Sequence, residues 1–386
     1  MKTPSLTSTP APTANTPAPP SDPLALHIAE VVRAQGGWVG FDTFMALALY
    51  TPGLGYYAGD LPKFGSLPAT SAEAPGSDFV TAPEISPLFG YALARQVAQA
   101  LEASGTDEMW EFGAGTGALA EQLLAALQEM QVPLARYTIV DLSGSLRARQ
   151  QTRLAPFGEQ VQWASELPAQ MRGVVLGNEL IDAMPVQLLA RVNGVWHERG
   201  VALGEDAKHF VWADRPTTLR PPIDIEGSHD YLTEIHPQSE AFVRTLAQRL
   251  KRGAVLLLDY GFPEAEYYHP QRHMGTVMCH QAHRSDANPL VNVGHKDITA
   301  HVNFTALALA AQDAGLEVLG YTNQAHFLMN CGLVDLMQAA TLPVRAAAQR
   351  LILEHEMGEL FKVIALGKGA VWQPLGFVHG DKTHRL

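Results

Sequence analysis

Glu111-Phe112-Gly113-Ala114-Gly115-Thr116-Gly117 stands between a strand pattern at 108–112 and a helical pattern at 117–130. Glycines at such a junction let the chain turn sharply and let a ligand approach bare backbone. The helix that follows presents unpaired N–H groups and a positive dipole end. A strand, a glycine turn and a helix in this order announce an α/β domain with a ligand seat at the turn.

The flanking sequence extends the pattern. Strand patterns at 137–142, 161–163 and 173–177 alternate with helical patterns at 143–154 and, further on, 237–252. Strands at 254–259 and 316–322, a helix at 305–314 and a last strand at 361–367 continue it. Strands alternating with helices imply a parallel sheet with right-handed crossovers. Helices are also expected at 24–35, from Asp42 (as cap) to 50, at 88–103 behind Pro87, at 333–340 and at 343–355. Two stretches break the alternation. Residues 186–232 read as an antiparallel insertion turning at Asn193-Gly194, and 262–302 as a loop-rich one. The expected organisation is a disordered tail at 1–23, a helical cap with a covering loop at 24–105, a Rossmann-like domain at 106–370 and a C-terminal tail at 371–386.

Composition narrows the function. The chain has 386 residues, 47% of them hydrophobic, and a formal net charge of −12. A field of that sign opposes non-specific binding to nucleic acid or an anionic membrane, so neither is expected as a partner. No apolar run approaches the roughly 18–20 residues of a membrane span. Two cysteines make no disulfide framework and read as a reducing cytoplasm.

Two cofactor classes fit the glycine turn. Gly113, Gly115 and Ala118 satisfy the dinucleotide fingerprint, which leaves a nicotinamide oxidoreductase open. S-adenosylmethionine is favoured by Glu111 ahead of the first glycine and by Asp141 at the end of the second strand, placed for ribose hydroxyls. The long ordered stretch before the turn and a terminal strand pair at 316–322 and 361–367 favour it as well. Beyond the fourth strand, Asn178, Glu179 and Asp182 should face the cleft, because ligands in open α/β sheets sit past the carboxyl ends of strands. An amide with two carboxylates suits a nitrogen nucleophile, and a guanidinium would pair bidentately with Glu179. The alternative is a helix N-terminus capped by Asn178.

The residues then resemble a known family. DFVTAPEISPLFG at 78–90, the turn at 111–117, LSGSLRARQ at 142–150 and NELIDAMPV at 178–186 match it, as do LDYG at 258–261, GHKDITAHVNF at 294–304 and MGELFKVIA at 357–365. Together these resemble the MidA-like methyltransferases, which include the mitochondrial complex I assembly-factor type of protein arginine methyltransferase. The resemblance implies a class I methyltransferase fold, a mixed sheet with an N-terminal helical cap and two insertions, and S-adenosyl-L-methionine as cofactor. It implies a protein partner presenting an arginine, a complex I subunit among the acceptors. It also implies that Thr81, Pro83 and Glu84 fold over the cofactor. With them we assign Glu111, Gly113, Ala114, Gly115, Gly117, Asp141, Leu142, Glu166, Leu167 and Asn178 to cofactor binding, and Glu179, Asn178 and Asp182 to catalysis. The chain departs from the family's Glu-x-Ser-Pro at Asp141-Leu142-Ser143-Gly144, where the carboxylate is one methylene shorter. An assembly or scaffold factor that binds the cofactor with little turnover remains the competing class.

Other residues invite a role. His269, His273, His280, His283, His295 and His301 crowd one region, but Cys279-His280-x-x-His283 fits no common zinc pattern, and no metal is expected. The stretch reads as a polar loop lining a substrate entrance, with Asp297 and Thr299 capping the next helix. Trp38, Tyr56 and Tyr57 read as core packing ahead of an aromatic wall.

Overall fold

The computed structural model describes residues 22–58, 81–141, 144–281 and 284–386. The expected tail up to residue 21, the loop at 59–80, Leu142 and His283 lie outside the described residues. The central sheet has seven strands in line: β1 Glu108–Phe112, β2 Arg136–Val140, β3 Val161–Ala164, β4 Met171–Asn178, β5 Leu250–Phe262, β6 Glu317–Asn323 and β7 Phe361–Lys368. Their order is β3-β2-β1-β4-β5-β7-β6. Parallel pairs join β3 to β2, β2 to β1, β1 to β4 and β4 to β5, while β7 runs antiparallel to β5 and β6. The expected terminal antiparallel pair is present. β4 is apolar almost throughout because helices cover both faces of the sheet.

Helices α3 (Leu88–Ser104) and α4 (Ala118–Glu129) lie on one face. There Phe89, Leu93 and Val97 pack with Leu119, Leu123 and Leu176. Helices α6 (Pro237–Arg249) and α7 (Phe304–Asp313) cover the other, through Val243, Leu246, Phe304 and Leu307 against Val175 and Leu257. Each such side chain contributes about 1.5–3 kcal/mol when fully buried. The helix expected at 88–103 thus belongs to the main domain rather than to the cap.

The cap joins the first insertion in one lobe. Strands Trp38–Gly40, Gln187–Val192, Val195–Leu203, Phe210–Pro216 and Tyr231–Ile235 form a five-stranded antiparallel sheet. Asn193 and Gly194 both have positive φ, as a two-residue hairpin turn requires. Helices α1 (Pro23–Ala34) and α2 (Phe41–Tyr50) pack on this sheet through Ile28, Phe41, Phe44, Leu188 and Val201. Asp22 caps α1 by accepting from the Leu24 N–H at 2.8 Å, so the expected tail yields its last two residues to the helix. Gly40, not Asp42, stands at the N-cap of α2.

Further corrections come from long-range packing. The helix expected at 237–252 gives way at Leu250 to β5. Helix Gln324–Asn330 was not anticipated, and the helix expected at 343–355 spans Leu342–Gln349. The expected C-terminal tail is packed. Phe377 is buried against Phe327, Gln96 and Gln99 accept from the Gly376 and Leu375 N–H groups, and Asp381 accepts from the Tyr321 N–H. Among the described residues no helix is long and apolar enough to cross a membrane.

Candidate functional site

A cleft of about 1100 Å³ opens at the carboxyl ends of β1, β2, β4 and β5. Its floor is the glycine turn. The Gly113 N–H donates to the Val140 carbonyl at 3.2 Å and ties the turn to β2. Gly115 has φ +53°, and a Cβ built on it meets nothing within 4 Å, so this peptide offers bare backbone to the cleft. Ala114 and Thr116 also line the cleft; Gly117 starts α4 in the left-handed region and does not.

Glu111 ends in the buried strand at 2% exposure, where the Tyr137 hydroxyl donates to its Oε2 at 2.7 Å. Burial, reinforced by nearby Asp141, pushes its carboxyl up to about 7. Asp141 also lines the cleft. Its Oδ2 accepts from Gln150 Nε2 at 2.8 Å, and the same amide donates to the Gly115 carbonyl at 2.9 Å. The Gln150 carbonyl accepts from the Trp163 indole at 3.0 Å. The fully buried Gln150 therefore braces turn, acid and β3 together. Leu167 lines the cleft, whereas Glu166 is exposed and does not; the edge beyond β3 turns its side chain to solvent.

Thr81, Pro83 and Glu84 close the near side. Gln122 on α4 donates to the Pro83 carbonyl at 2.8 Å, and Glu84 is bonded by Thr116 and by Arg153, the latter at 3.2 Å. A single helical turn, Ala82–Ile85, carries these residues.

The opposite wall holds Asn178, Glu179 and Asp182. Glu179 has φ +50°, rare for a residue with a side chain and costing about 1–2 kcal/mol. Its N–H donates to the Leu258 carbonyl at 2.9 Å. Its Oε1 accepts from the Ala82 N–H at 3.2 Å and the Asn178 amide at 3.1 Å. No helix follows, so Asn178 caps nothing. Asp259 on β5 does that work instead, its Oδ2 accepting from the N–H groups of Leu180, Ile181 and Asp182 at 2.8–3.2 Å. The Tyr260 hydroxyl donates to the Asp182 carboxylate.

These acids are crowded. Burial first, then the neighbouring Asp182, pushes Glu179 up to about 7. Burial raises Asp182 to about 6, and burial with Asp182 and Glu179 beside it raises Asp259 well above the usual carboxylate range. Among the described residues Glu179 and Asp182 have no ion-pair partner. The Asn178 Oδ1 is buried without a hydrogen-bond partner among the described residues.

Residues read as surroundings divide. Tyr57 stacks on Tyr50 at 5.6 Å between ring centres, both line the cleft, and the Tyr57 hydroxyl donates to Asp297 at 2.9 Å. Tyr56 is core, and Trp38 lies on the five-stranded sheet under Arg215. Asp297 and Thr299 form a strand lining the cleft; the cap of α7 is Asn303. His280 and His301 line the cleft, while His295 pairs with Asp22. Cys279 is buried, and burial pushes its thiol up to about 12. The roles of Asp259, Tyr260, Gln150 and Tyr50 were not anticipated, although LDYG and LSGSLRARQ had drawn notice as motifs.

Comparison with known proteins gives this geometry a family. The model of the S-adenosyl-L-methionine-dependent methyltransferases matches residues 92–322. The chain is 27% identical to the mitochondrial protein arginine methyltransferase NDUFAF7 of Danio rerio, over 88% of this chain and 86% of that protein. It is 25% identical to the Homo sapiens protein of that name, over 90% of this chain and 84% of that one. A protein from Burkholderia thailandensis, crystallised with S-adenosyl-homocysteine, is 46% identical, with a TM-score of 0.88. That match covers 96% of this chain and all of the other. The cytoplasmic expectation is overturned, since the two protein arginine methyltransferases named above are mitochondrial. Both cysteines are free and buried, which does not tell one compartment from another.

Proposed function

This chain belongs to the S-adenosyl-L-methionine-dependent methyltransferase family, and from that premise we propose that it methylates arginine on a protein acceptor, as the names of its relatives say of them. The nicotinamide reading of the glycine turn falls away. The site fits its methyl donor: bare backbone at Gly115, carboxylates at Glu111 and Asp141, and an unpartnered acceptor at Asn178 Oδ1. Gly113, Ala114 and Gly115 would hold its amino-acid end, Asp141 its ribose, and Thr81, Pro83 and Glu84 would cover it.

The observation that carries the arginine reading is the pair Glu179 and Asp182, desolvated on the cleft wall with no ion-pair partner among the described residues. Two such carboxylates are costly alone and are relieved by a cation that brings its own hydrogen bonds. A guanidinium is planar, always charged and donates in a fork that matches a carboxylate.

The bound donor supplies an electrophilic methyl group on a sulfonium sulfur. The protein's part is alignment and desolvation. Glu179 orients the guanidinium, with its own rotation restricted by Ala82 and Asn178. When the nitrogen takes the methyl carbon, the carbon–sulfur bond it replaces would break with its electron pair left on sulfur, and the nitrogen would shed one N–H proton that Asp182, raised to about 6, would accept and return to solvent.

The test is transfer of tritium from labelled donor to lysate proteins, followed by hydrolysis and separation of methylated amino acids. Label in methylarginine supports the proposal. Label confined to other residues, or none above background with active donor, overturns it.

A further inference from the structure

His301 follows Ala300, whose N–H donates to the Asp182 carbonyl at 2.9 Å, and its own N–H donates to Thr276 Oγ1 at 3.0 Å. The main chain therefore fixes it beside the acid. Its ring stands edge-on to Tyr260 at 5.2 Å and to Phe262 at 5.2 Å. Tyr260 in turn bonds Asp182, so Asp182, Tyr260 and His301 form one cluster on the cleft wall. The His301 Nδ1 is buried and has no hydrogen-bond partner among the described residues. A buried polar atom left so costs about 1–3 kcal/mol unless a ligand satisfies it.

We infer that His301 is a specificity-determining residue for the acceptor, its imidazole accepting a hydrogen bond from the guanidinium that Glu179 and Asp182 draw in. This rests on the arginine reading and extends it. Burial, with Arg272 and Lys362 nearby, holds His301 down to about 4, so the ring is neutral and one nitrogen is an acceptor. Arg272 and Lys362 oppose an incoming cation, and Glu179 with Asp182 outweigh them only when ionised. A guanidinium has five N–H donors in one plane, enough for two carboxylates and a ring nitrogen together. An ammonium has three on a point and cannot span the same acceptors. The cluster therefore selects arginine over lysine.

The test compares wild type with His301→Phe, which keeps the ring contacts and removes the acceptor, and with His301→Gln, which restores one. Tritium transfer into methylarginine is measured against increasing lysate protein. S-adenosyl-homocysteine binding by calorimetry checks that each variant is folded. We expect His301→Phe to raise the apparent KM for lysate protein by about tenfold, with kcat within about threefold and S-adenosyl-homocysteine affinity unchanged. We expect His301→Gln to recover most of that loss. An unchanged KM in His301→Phe, with wild type labelling arginine, overturns this assignment alone. A glutamine variant no better than phenylalanine overturns it too. No arginine label with wild type overturns the arginine reading and this assignment with it.

Discussion

Glu179 Oε1 accepts a hydrogen bond from the main-chain N–H of Ala82 at 3.2 Å. The acid of one cleft wall is thereby fastened to the Ala82–Ile85 turn on the other. Two residues further along, Glu84 is bonded by Thr116 of the glycine turn and by Arg153. The glycine turn, the Ala82–Ile85 turn and Glu179 thus share one hydrogen-bonded path.

Glu179→Gln tests the acid. Glutamine keeps the shape and an oxygen that accepts from Ala82, but it loses the charge that draws in a cation. We expect S-adenosyl-homocysteine affinity within about threefold of wild type and turnover at least about tenfold lower, roughly 1.4 kcal/mol of barrier. Calorimetry and single-turnover labelling check the two halves. Wild-type turnover would remove Glu179 from the chemistry.

Gly115→Val tests the seat. The position has φ +53°, which costs a residue bearing a Cβ about 1–2 kcal/mol, and the added carbons occupy the open space of the cleft. We expect a chain that still folds, with a lowered melting temperature, and S-adenosyl-homocysteine binding weakened by at least about tenfold. Undiminished binding heat would show that the ligand does not approach this peptide.

Gln150→Ala removes the brace. Its amide holds the Gly115 carbonyl and the Asp141 carboxylate, and its carbonyl holds the Trp163 indole. We expect about 2 kcal/mol less stability to denaturant, in line with buried groups deprived of partners, and weaker S-adenosyl-homocysteine binding. Lost stability with unchanged ligand affinity would make Gln150 a core residue only.

How much of this was legible follows from range. The glycine turn, the hairpin at Asn193-Gly194 and β4 declare themselves within a few residues, because local backbone demands and burial on both faces leave a local pattern. Asp182 and Glu179 were placed because a strand end points them at the cleft. Asp259 was not, since its three N–H partners lie on a different strand edge, far back in sequence. Trp38–Gly40 likewise pairs with Val195–Leu203, a match no short window contains. Glu166 failed for a related reason: the position after a strand was readable, but which way its side chain turned was not.

The last prediction concerns pH. Glu111 and Glu179 titrate near 7 in the folded chain against 4.5 unperturbed, and Asp182 near 6 against 3.8. The folded state then binds more protons than the unfolded one between these values, so these groups' contribution is fully present below about pH 4 and is lost as pH rises through about 7. Carboxylates whose folded values are depressed, such as Asp286 and Glu359, slope the opposite way, so the whole-chain curve mixes both. The difference between wild type and Glu179→Gln reports Glu179 together with the relief its lost charge gives Asp259, and both slope the same way. Without ligand, the melting temperature of Glu179→Gln relative to wild type should rise from pH 5 to about pH 7 and level off by pH 8, because only wild type must ionise a desolvated carboxyl and above its folded value that carboxyl is ionised in both states. A cation seated against Glu179 should cancel that trend by favouring the ionised form. A difference that stays flat across the window would mean Glu179 is ionised throughout, and the case for a site waiting on a cation would lose its electrostatic basis.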